Sequence, residues 1–351
     1  MIGILAFTDR GIELGRRVGG FLEKAGWDVG FYNKEQETGR EYTARHFQEY
    51  DGLLFIGAAG ICVRMIAPHV RSKDRDPAVI VMDELGQYVI PILSGHIGGA
   101  NRLAEVIASF TGAVPVITTA TDINHRFAAD VWAVGCGCTI EDISMIRYIS
   151  SAVLRGDKAG LDPGNFAVIG KVPEDLVLCG GDGFPLSSGE QSQDRPEKPD
   201  TGICISLKGG RGAFARTLNV IPQIVSLGVG CRRDTDPEIF EEAVVRAAER
   251  SGISMKSVEA IASIDLKKDE QCMQVFADKY GIPFVTWSAE ELMDVPGTFA
   301  HSDFVQKTTG ADNVCERSAV KQSGGRLILN KTVAEAGVTV AAALRTWECR
   351  F

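Results

Sequence analysis

The sequence predicts an α/β protein: an N-terminal doubly wound, mostly parallel sheet domain, a small middle module, and a second α/β domain at the C-terminus. Three observations predict it. Short apolar runs of about five residues alternate with helical patterns from residue 2 to about 119, as buried parallel strands do. The same alternation restarts at residue 224. The chain has 351 residues, more than one typical core takes up, and so suits two or three domains.

The elements follow in order. Residues 2–8 are an apolar run ending at Thr8-Asp9, a helix N-cap pair. An amphipathic helix pattern then runs to about Lys24, with Gly26 past its end. Trp27 to Tyr32 and residues 51–57, 78–82 and 88–93 read as strands, 98–110 as a helix, and Pro115 to Thr119 as the last strand of a domain over 1–135. In such folds ligands sit on loops beyond the carboxyl ends of strands, where the glycine-rich segments of this chain fall. Residues 136–222 read as a middle module or linker. It has a helix near 140–155, short strands at 166–170 and 202–207, and a polar stretch at 180–200 expected to be a mobile loop. Residues 223–351 form the second α/β domain. Its strands are expected at Ile224 to Val229, Val258 to Ser263, Phe284 to Thr286, Arg326 to Leu329 and Thr339 to Ala343. Its helices are expected at 236–251, with Pro237 in the first turn, at Lys267 to Tyr280, at 288–293 and at Asn313 to Lys321.

Composition excludes several classes. With 45% hydrophobic and 24% charged residues, enough apolar surface exists to offset chain entropy, so disorder is not expected. A net charge of −9 argues against broad nucleic-acid binding, which needs a basic face. It leaves room for a small anion held by a few local cations and N–H groups. No apolar run approaches the ~20 residues of a membrane span. The N-terminal run lacks the basic start and length of a signal peptide. A cytoplasmic protein with no membrane partner is expected. Of nine cysteines, Cys62, Cys179, Cys204, Cys272 and Cys315 read as reduced thiols in apolar surroundings. Cys136-Gly137-Cys138 has no second ligand pair and the histidines are dispersed, so no metal site is expected.

The segment with the most chemistry is Ser94-Gly95-His96-Ile97-Gly98-Gly99-Ala100-Asn101. Its glycines suit a backbone that turns tightly or approaches a ligand. The helix start behind it offers N–H groups to an anion. His96 titrates near neutrality, and Asn101 can donate or accept a hydrogen bond. The plainer reading is a tight turn in which Ser94 caps the helix and His96 is solvated. Gly57-Ala58-Ala59-Gly60 offers a second backbone cradle, with Arg64, His69, Arg71 and Lys73 nearby. It is neither a P-loop nor a dinucleotide fingerprint. Thr119 and Asp122, in Thr118-Thr119-Ala120-Thr121-Asp122, orient a ligand or merely cap a helix.

In the second domain, Gly228-Val229-Gly230-Cys231-Arg232-Arg233 ends a strand with two guanidiniums suited to carboxylates. Cys231 has no adjacent histidine base, which favours a packing role. Lys267 either contacts a carboxylate or pairs with Glu270 at i, i+3. Asn313 and Glu316 match a capping box, which alone accounts for Glu316.

Gly-Ala-Ala-Gly (57–60) with Arg64, Ser-Gly-His-x-Gly-Gly-Ala-Asn (94–101), Ile-Thr-Thr-Ala-Thr-Asp (117–122), Gly-Val-Gly-Cys-Arg-Arg (228–233), Ala-Ser-Ile-Asp-Leu-Lys-Lys-Asp-Glu (262–270) and Val-Cys-Glu-Arg-Ser-Ala (314–319) together resemble the cobalt-precorrin-5A hydrolase family. The resemblance runs in order along nearly the whole chain; the family tends to carry Ala where Ser318 stands. It implies an enzyme of anaerobic cobalamin biosynthesis. That enzyme opens a δ-lactone between the ring A acetate and C-20 of a cobalt-bound macrocycle. It then releases the C-20 two-carbon unit as acetaldehyde, giving cobalt-precorrin-5B. For that reaction His96 is expected to serve as general acid or base with Asn101 beside it, and the Gly98 and Gly99 N–H groups as oxyanion donors. Gly57, Gly60, Arg64, Ser94, Thr119, Asp122, Arg232, Lys267 and Glu316 would hold the polycarboxylate substrate. Cobalt would arrive in the substrate, so no cofactor is expected. A homodimer or transient contact with neighbouring pathway enzymes stays open. Two rivals remain: a flavodoxin-like nucleotide or flavin binder, and a non-catalytic tetrapyrrole carrier of the same pathway.

Overall fold

The computed structural model describes residues 1–72, 75–186, 197–334 and 337–351. Lys73 and the stretch 187–196 of the expected polar loop lie outside the described residues. The chain divides into two compact units, Met1–Val131 and Trp132–Phe351.

The first unit begins with β1 (Ile2–Ala6), α1 (Asp9–Lys24), β2 (Val29–Phe31), α2 (Gly39–His46), β3 (Gly52–Ile56) and α3 (Ala59–Ile66). It continues with β4 (Ala78–Met82), β5 (Tyr88–Leu93), α4 (Ala100–Thr111), β6 (Val114–Pro115) and α5 (Ala120–Ile123). The sheet order is β2-β1-β3-β4-β5-β6. Period-two alternation inside each apolar run gives the sheet two buried faces. Leu54, Ile56 and Ile80 pack with Leu14 and Val18 of α1 and Leu103 and Ile107 of α4. Leu53, Phe55, Val79 and Val81 pack with Tyr42 of α2 and Cys62 and Ile66 of α3. Thr8 caps α1 as its position predicts, accepting from the Gly11 N–H at 3.1 Å.

Among the described strand pairings of this sheet only β4–β5 is antiparallel. The cause is local: the Asp83 carboxylate gathers the N–H groups of Leu85, Gln87 and Tyr88 into a tight turn, so β5 returns directly without a crossover helix. The expected strand at 115–119 shrinks to Val114–Pro115, and residues 120–123 form a helical turn with Thr119 at its N-cap position.

α6 (Ala129–Gly135) spans the division between the units. The second unit contains β7 (Cys138–Ile140), α7 (Ile146–Arg155), β8 (Ala159–Asp162), β9 (Val168–Ile169), β10 (Leu176–Leu178), β11 (Thr201–Ile205) and β12 (Arg216–Pro222). These make a sheet of order β10-β8-β11-β12-β7, with β9 outside it. β8, β10 and β12 have no counterpart in the sequence expectation. Two of the sheet's central strands carry glycines that blur their apolar pattern. A Cβ on Gly160 or Gly202 would fall 2.2 or 2.3 Å from the ring of Phe214, which lies against both strands.

The chain then forms β13 (Val225–Gly230), α8 (Pro237–Arg250), β14 (Val258–Ile264), α9 (Gln271–Tyr280), β15 (Phe284–Trp287), α10 (Ala289–Met293) and α11 (Asp303–Thr309). It ends with α12 (Val314–Ser323), β16 (Arg326–Val333), β17 (Thr339–Leu344) and β18 (Cys349–Arg350). The sheet order is β15-β14-β13-β17-β16. The helix expected from Lys267 starts only at Gln271, after a 3-10 turn over Asp265–Lys267. The segment 136–222, read as a module or linker, lies in one compact unit with this sheet. β18 ties them: it pairs with β9, so the last residues of the chain add to the middle segment. No helix among the described residues is long and apolar enough to cross a membrane.

Candidate active site

The loop between β5 and α4 coils on itself. Ser94 takes a left-handed φ of 56°. Gly98 is then forced by space, since a Cβ there would lie 2.4 Å from Ser94 Cβ. The Gly99 N–H donates to His96 O at 2.9 Å, Ala100 N–H to Ser94 O at 3.1 Å, and Asn101 N–H to Gly95 O at 3.0 Å. These donors are therefore engaged within the loop, and Gly99 is not the oxyanion donor expected of it. Ser94 does not cap α4, whose N-cap is Gly99; the Ser94 hydroxyl is buried without a hydrogen-bond partner among the described residues.

The loop places His96 between two carboxylates. Its Nδ1 lies 3.1 Å from Asp130 Oδ2 and its Nε2 3.2 Å from Asp122 Oδ2. Asn101 Nδ2 donates to Asp122 Oδ2 at 2.6 Å and to Thr119 Oγ1 at 2.9 Å. The His96 side chain is 14% exposed, Asp130 6% and Asp122 35%, so one carboxylate is sealed and the other reaches solvent. The solvated reading of His96 does not hold. The hydrogen bond to Asp130 raises the His96 pKa above its ordinary value; burial opposes this, and the charges of Asp130 and Asp122 add to it. Burial pushes Asp130 up, but its hydrogen bond to His96, the imidazolium charge and nearby backbone N–H groups together hold it below the usual carboxylate range. Asp130 thus orients the ring, and Nε2 is directed at Asp122.

Asp130 went unnoticed in the sequence, 34 positions from His96. A signal was present: it is the one charged residue in the apolar run Phe127 to Val134. The expected cradle at 57–60 is a strand-to-helix turn. The Gly57 N–H donates to Met82 O at 2.8 Å, and Gly60 sits in the first turn of α3. Arg64 lies exposed on α3. None of the hydrogen bonds described for the His96 cluster involves these three residues.

In the second unit α12 presses directly on β13. A Cβ on Gly228 would lie 1.8 Å from Cys315 O, so only glycine admits this contact. Beyond the ends of β13 and β14 opens a cavity of about 790 Å³, lined in part by Cys231, Arg232, Arg233, Lys267, Phe304 and Lys331. Arg232 and Arg233 are exposed at it. Lys267 forms the plainer pair, with Nζ 2.7 Å from Glu270 Oε2. Its Nζ also lies 3.9 Å from Cys231 Sγ.

Cys231 lines the cavity and is not mere packing. A hydrogen bond from Cys272, whose Sγ is 3.7 Å away, draws its pKa down to about 7; burial opposes this and the Lys267 charge assists. Glu316 has a different role from the one expected. It is 2% exposed; Oε2 accepts from Ala300 N–H and Asn313 Nδ2, each at 2.9 Å, and Oε1 from Lys331 N–H at 2.7 Å. Asn313 caps α12 through the Glu316 N–H, but the carboxylate ties three chain segments together and does not complete the capping box.

The fold and these two sites define a two-unit α/β protein with a half-buried acid–base cluster and a cation-rimmed cavity. Residues 41–122 match the family described as Cobalamin synthesis G N-terminal, and residues 225–343 the Cobalamin synthesis G C-terminus. The cobalt-precorrin-5A hydrolase of Salmonella typhimurium is 35% identical over 349 residues, covering 97% of this chain and 96% of that protein. The protein of the same name from Priestia megaterium is 30% identical over 369 residues, with 97% and 94% covered. A solved cobalamin biosynthesis protein G homolog from Sulfolobus solfataricus aligns at 22% identity and TM-score 0.42, over 98% of this chain and 96% of that one. The chain belongs to the cobalt-precorrin-5A hydrolase family, within cobalamin biosynthesis.

Proposed function

We propose that the protein opens the δ-lactone of cobalt-precorrin-5A and expels the C-20 two-carbon unit as acetaldehyde, giving cobalt-precorrin-5B. The observation that carries this reading is the Asp130–His96–Asp122 arrangement, which supplies an oriented acid and a carboxylate base within one hydrogen-bonded cluster. In the first step water adds to the lactone carbonyl and the ester C–O bond breaks. Asp122 takes the proton of the attacking water, and His96 Nε2 gives its proton to the departing C-20 oxygen. Asn101 aims Asp122, and Asp130 holds the ring and its charge. In the second step the new hydroxyl loses its proton as the carbon–carbon bond to C-20 breaks. The electron pair passes into the macrocycle, which takes up a proton, and acetaldehyde leaves. One water is consumed overall.

Arg232 and Arg233 anchor substrate carboxylates, with Arg64 a further exposed cation. Gly57, Gly60, Ser94 and Gly98 shape the loops, and Thr119 holds Asn101. Lys267 is shared with Glu270 and contributes weakly. The cobalt is part of the substrate.

The test is an anaerobic incubation of the protein with cobalt-precorrin-5A in the presence of a hydrazine trap. Acetaldehyde formed in step with loss of two carbons from the macrocycle is the expected result. Binding without aldehyde would establish a tetrapyrrole carrier instead.

A further inference from the structure

We propose that Cys231, Cys272 and Glu270 form a binding site for a borderline-soft divalent cation of the zinc or cobalt(II) class, with one coordination position open to the 790 Å³ cavity. This goes beyond the lactone chemistry and does not depend on it.

The geometry of the donors points to a metal. The two sulfurs are 3.7 Å apart. Two thiolates on a tetrahedral zinc at ~2.3 Å are separated by about 3.8 Å, the edge of that tetrahedron. One ligand atom of each of the three residues lies within 4.8 Å of the other two. Small rotations therefore close the set around one ion. Two thiolates and a carboxylate favour zinc or cobalt(II) over calcium or magnesium, which take oxygen shells.

The surroundings hold the donors in place. Cys231 follows β13, and Cys272 is the second residue of α9 and 1% exposed. Glu270 is oriented by the Asp234 N–H on Oε1 and by Lys267 Nζ on Oε2, both at 2.7 Å. A carboxylate oxygen has a second lone-pair direction, so these bonds leave room for a metal and act as its outer shell. Charge also balances: a divalent ion with the Lys267 ammonium offsets two thiolates and one carboxylate. Cys231 and Glu270 face the cavity while Cys272 lies behind them, so a fourth ligand enters from the cavity side. A carboxylate from an anionic ligand, drawn in by Arg232 and Arg233, fits that position.

The full chain, reduced and freed of metal with a chelator under anaerobic conditions, is titrated with Co²⁺ and then with Zn²⁺. One Co²⁺ per chain is expected, with thiolate-to-cobalt charge-transfer absorption that Zn²⁺ abolishes and with proton release on binding. Cys231→Ser and Cys272→Ser are each expected to weaken binding by at least ~10²-fold, Glu270→Gln by about 10-fold, and Cys349→Ser not at all. The wild-type titration decides the matter even where a variant folds poorly. No charge-transfer band, or a band that survives in a folded Cys231→Ser protein, overturns the proposal. So does a reduced wild-type pair that forms a Cys231–Cys272 disulfide on exposure to air yet takes up no metal beforehand. Because the readout is metal content and absorption, its failure is distinct from failure of the aldehyde assay.

Discussion

Asp130 Oδ2 and His96 Nδ1 meet at 3.1 Å, and this contact orients a glycine-loop histidine and raises its pKa. Asp130 is a positioning residue: it acts through the ring. Asp130→Asn leaves the site similar in volume but loses the charge and favours the wrong tautomer. A fall in kcat of about 10³-fold or more is expected, comparable to the loss of an orienting aspartate in a catalytic triad. The pH profile should move down with it, which a purely structural role would not produce. His96→Ala should abolish aldehyde release with the fold intact; near-normal turnover would remove His96 from the mechanism.

The same pair sets a pH window for stability. The folded pKa of His96 is raised above 6.5, so its contribution is complete below that value and is lost as pH rises through the raised one. The folded pKa of Asp130 is lowered below 3.8, so its contribution is complete above that value and is lost as pH falls through the lowered one. Imidazole NMR should place the His96 midpoint above 6.5 in the wild type and lower in Asp130→Asn. A wild-type midpoint at or below the ordinary value would contradict the geometry.

Glu316 predicts a loss of stability and not of affinity. Glu316→Ala removes the acceptor of the part-buried Ala300 and Lys331 N–H groups and of one N–H of the buried Asn313 amide, whose other bond goes to Ala300 O. Each unsatisfied donor costs about 1–3 kcal/mol, so a loss of about 3 kcal/mol or more is expected in urea unfolding. A raised KM with unchanged stability would restore Glu316 to the substrate site.

Gly98→Ala tests the loop that carries His96. The added methyl meets Ser94 Cβ at 2.4 Å and Ser94 O at 3.0 Å, so the loop must move. Overpacking of this kind costs about 1–3 kcal/mol. A ring displaced by even an ångström loses about 10²-fold in rate, so activity should fall much further than stability.

Arg232→Ala should raise KM for the macrocycle about 10- to 100-fold with kcat near normal, the signature of lost uniform binding. An equal loss in kcat would place Arg232 at the reacting centre.

By itself the sequence determined the alternation of strands and helices, the glycine loop that ends β5 with His96 on it and Asn101 just after it, and the Thr8 and Asn313 caps. These are set by hydrogen bonds and apolar periodicity acting over a few residues, which a linear reading contains. It did not determine the middle sheet, because Gly160 and Gly202 break the pattern for the sake of a Phe214 ring that only packing reveals. Nor did it determine what Glu316 holds, or that Asp130 serves His96 across 34 positions and Cys272 serves Cys231 across 41. Those partnerships depend on which strand and helix ends the sheet order brings together. Local propensity carries no record of that, so the acid–base pair and the thiol pair exist as chemistry only once the chain has folded.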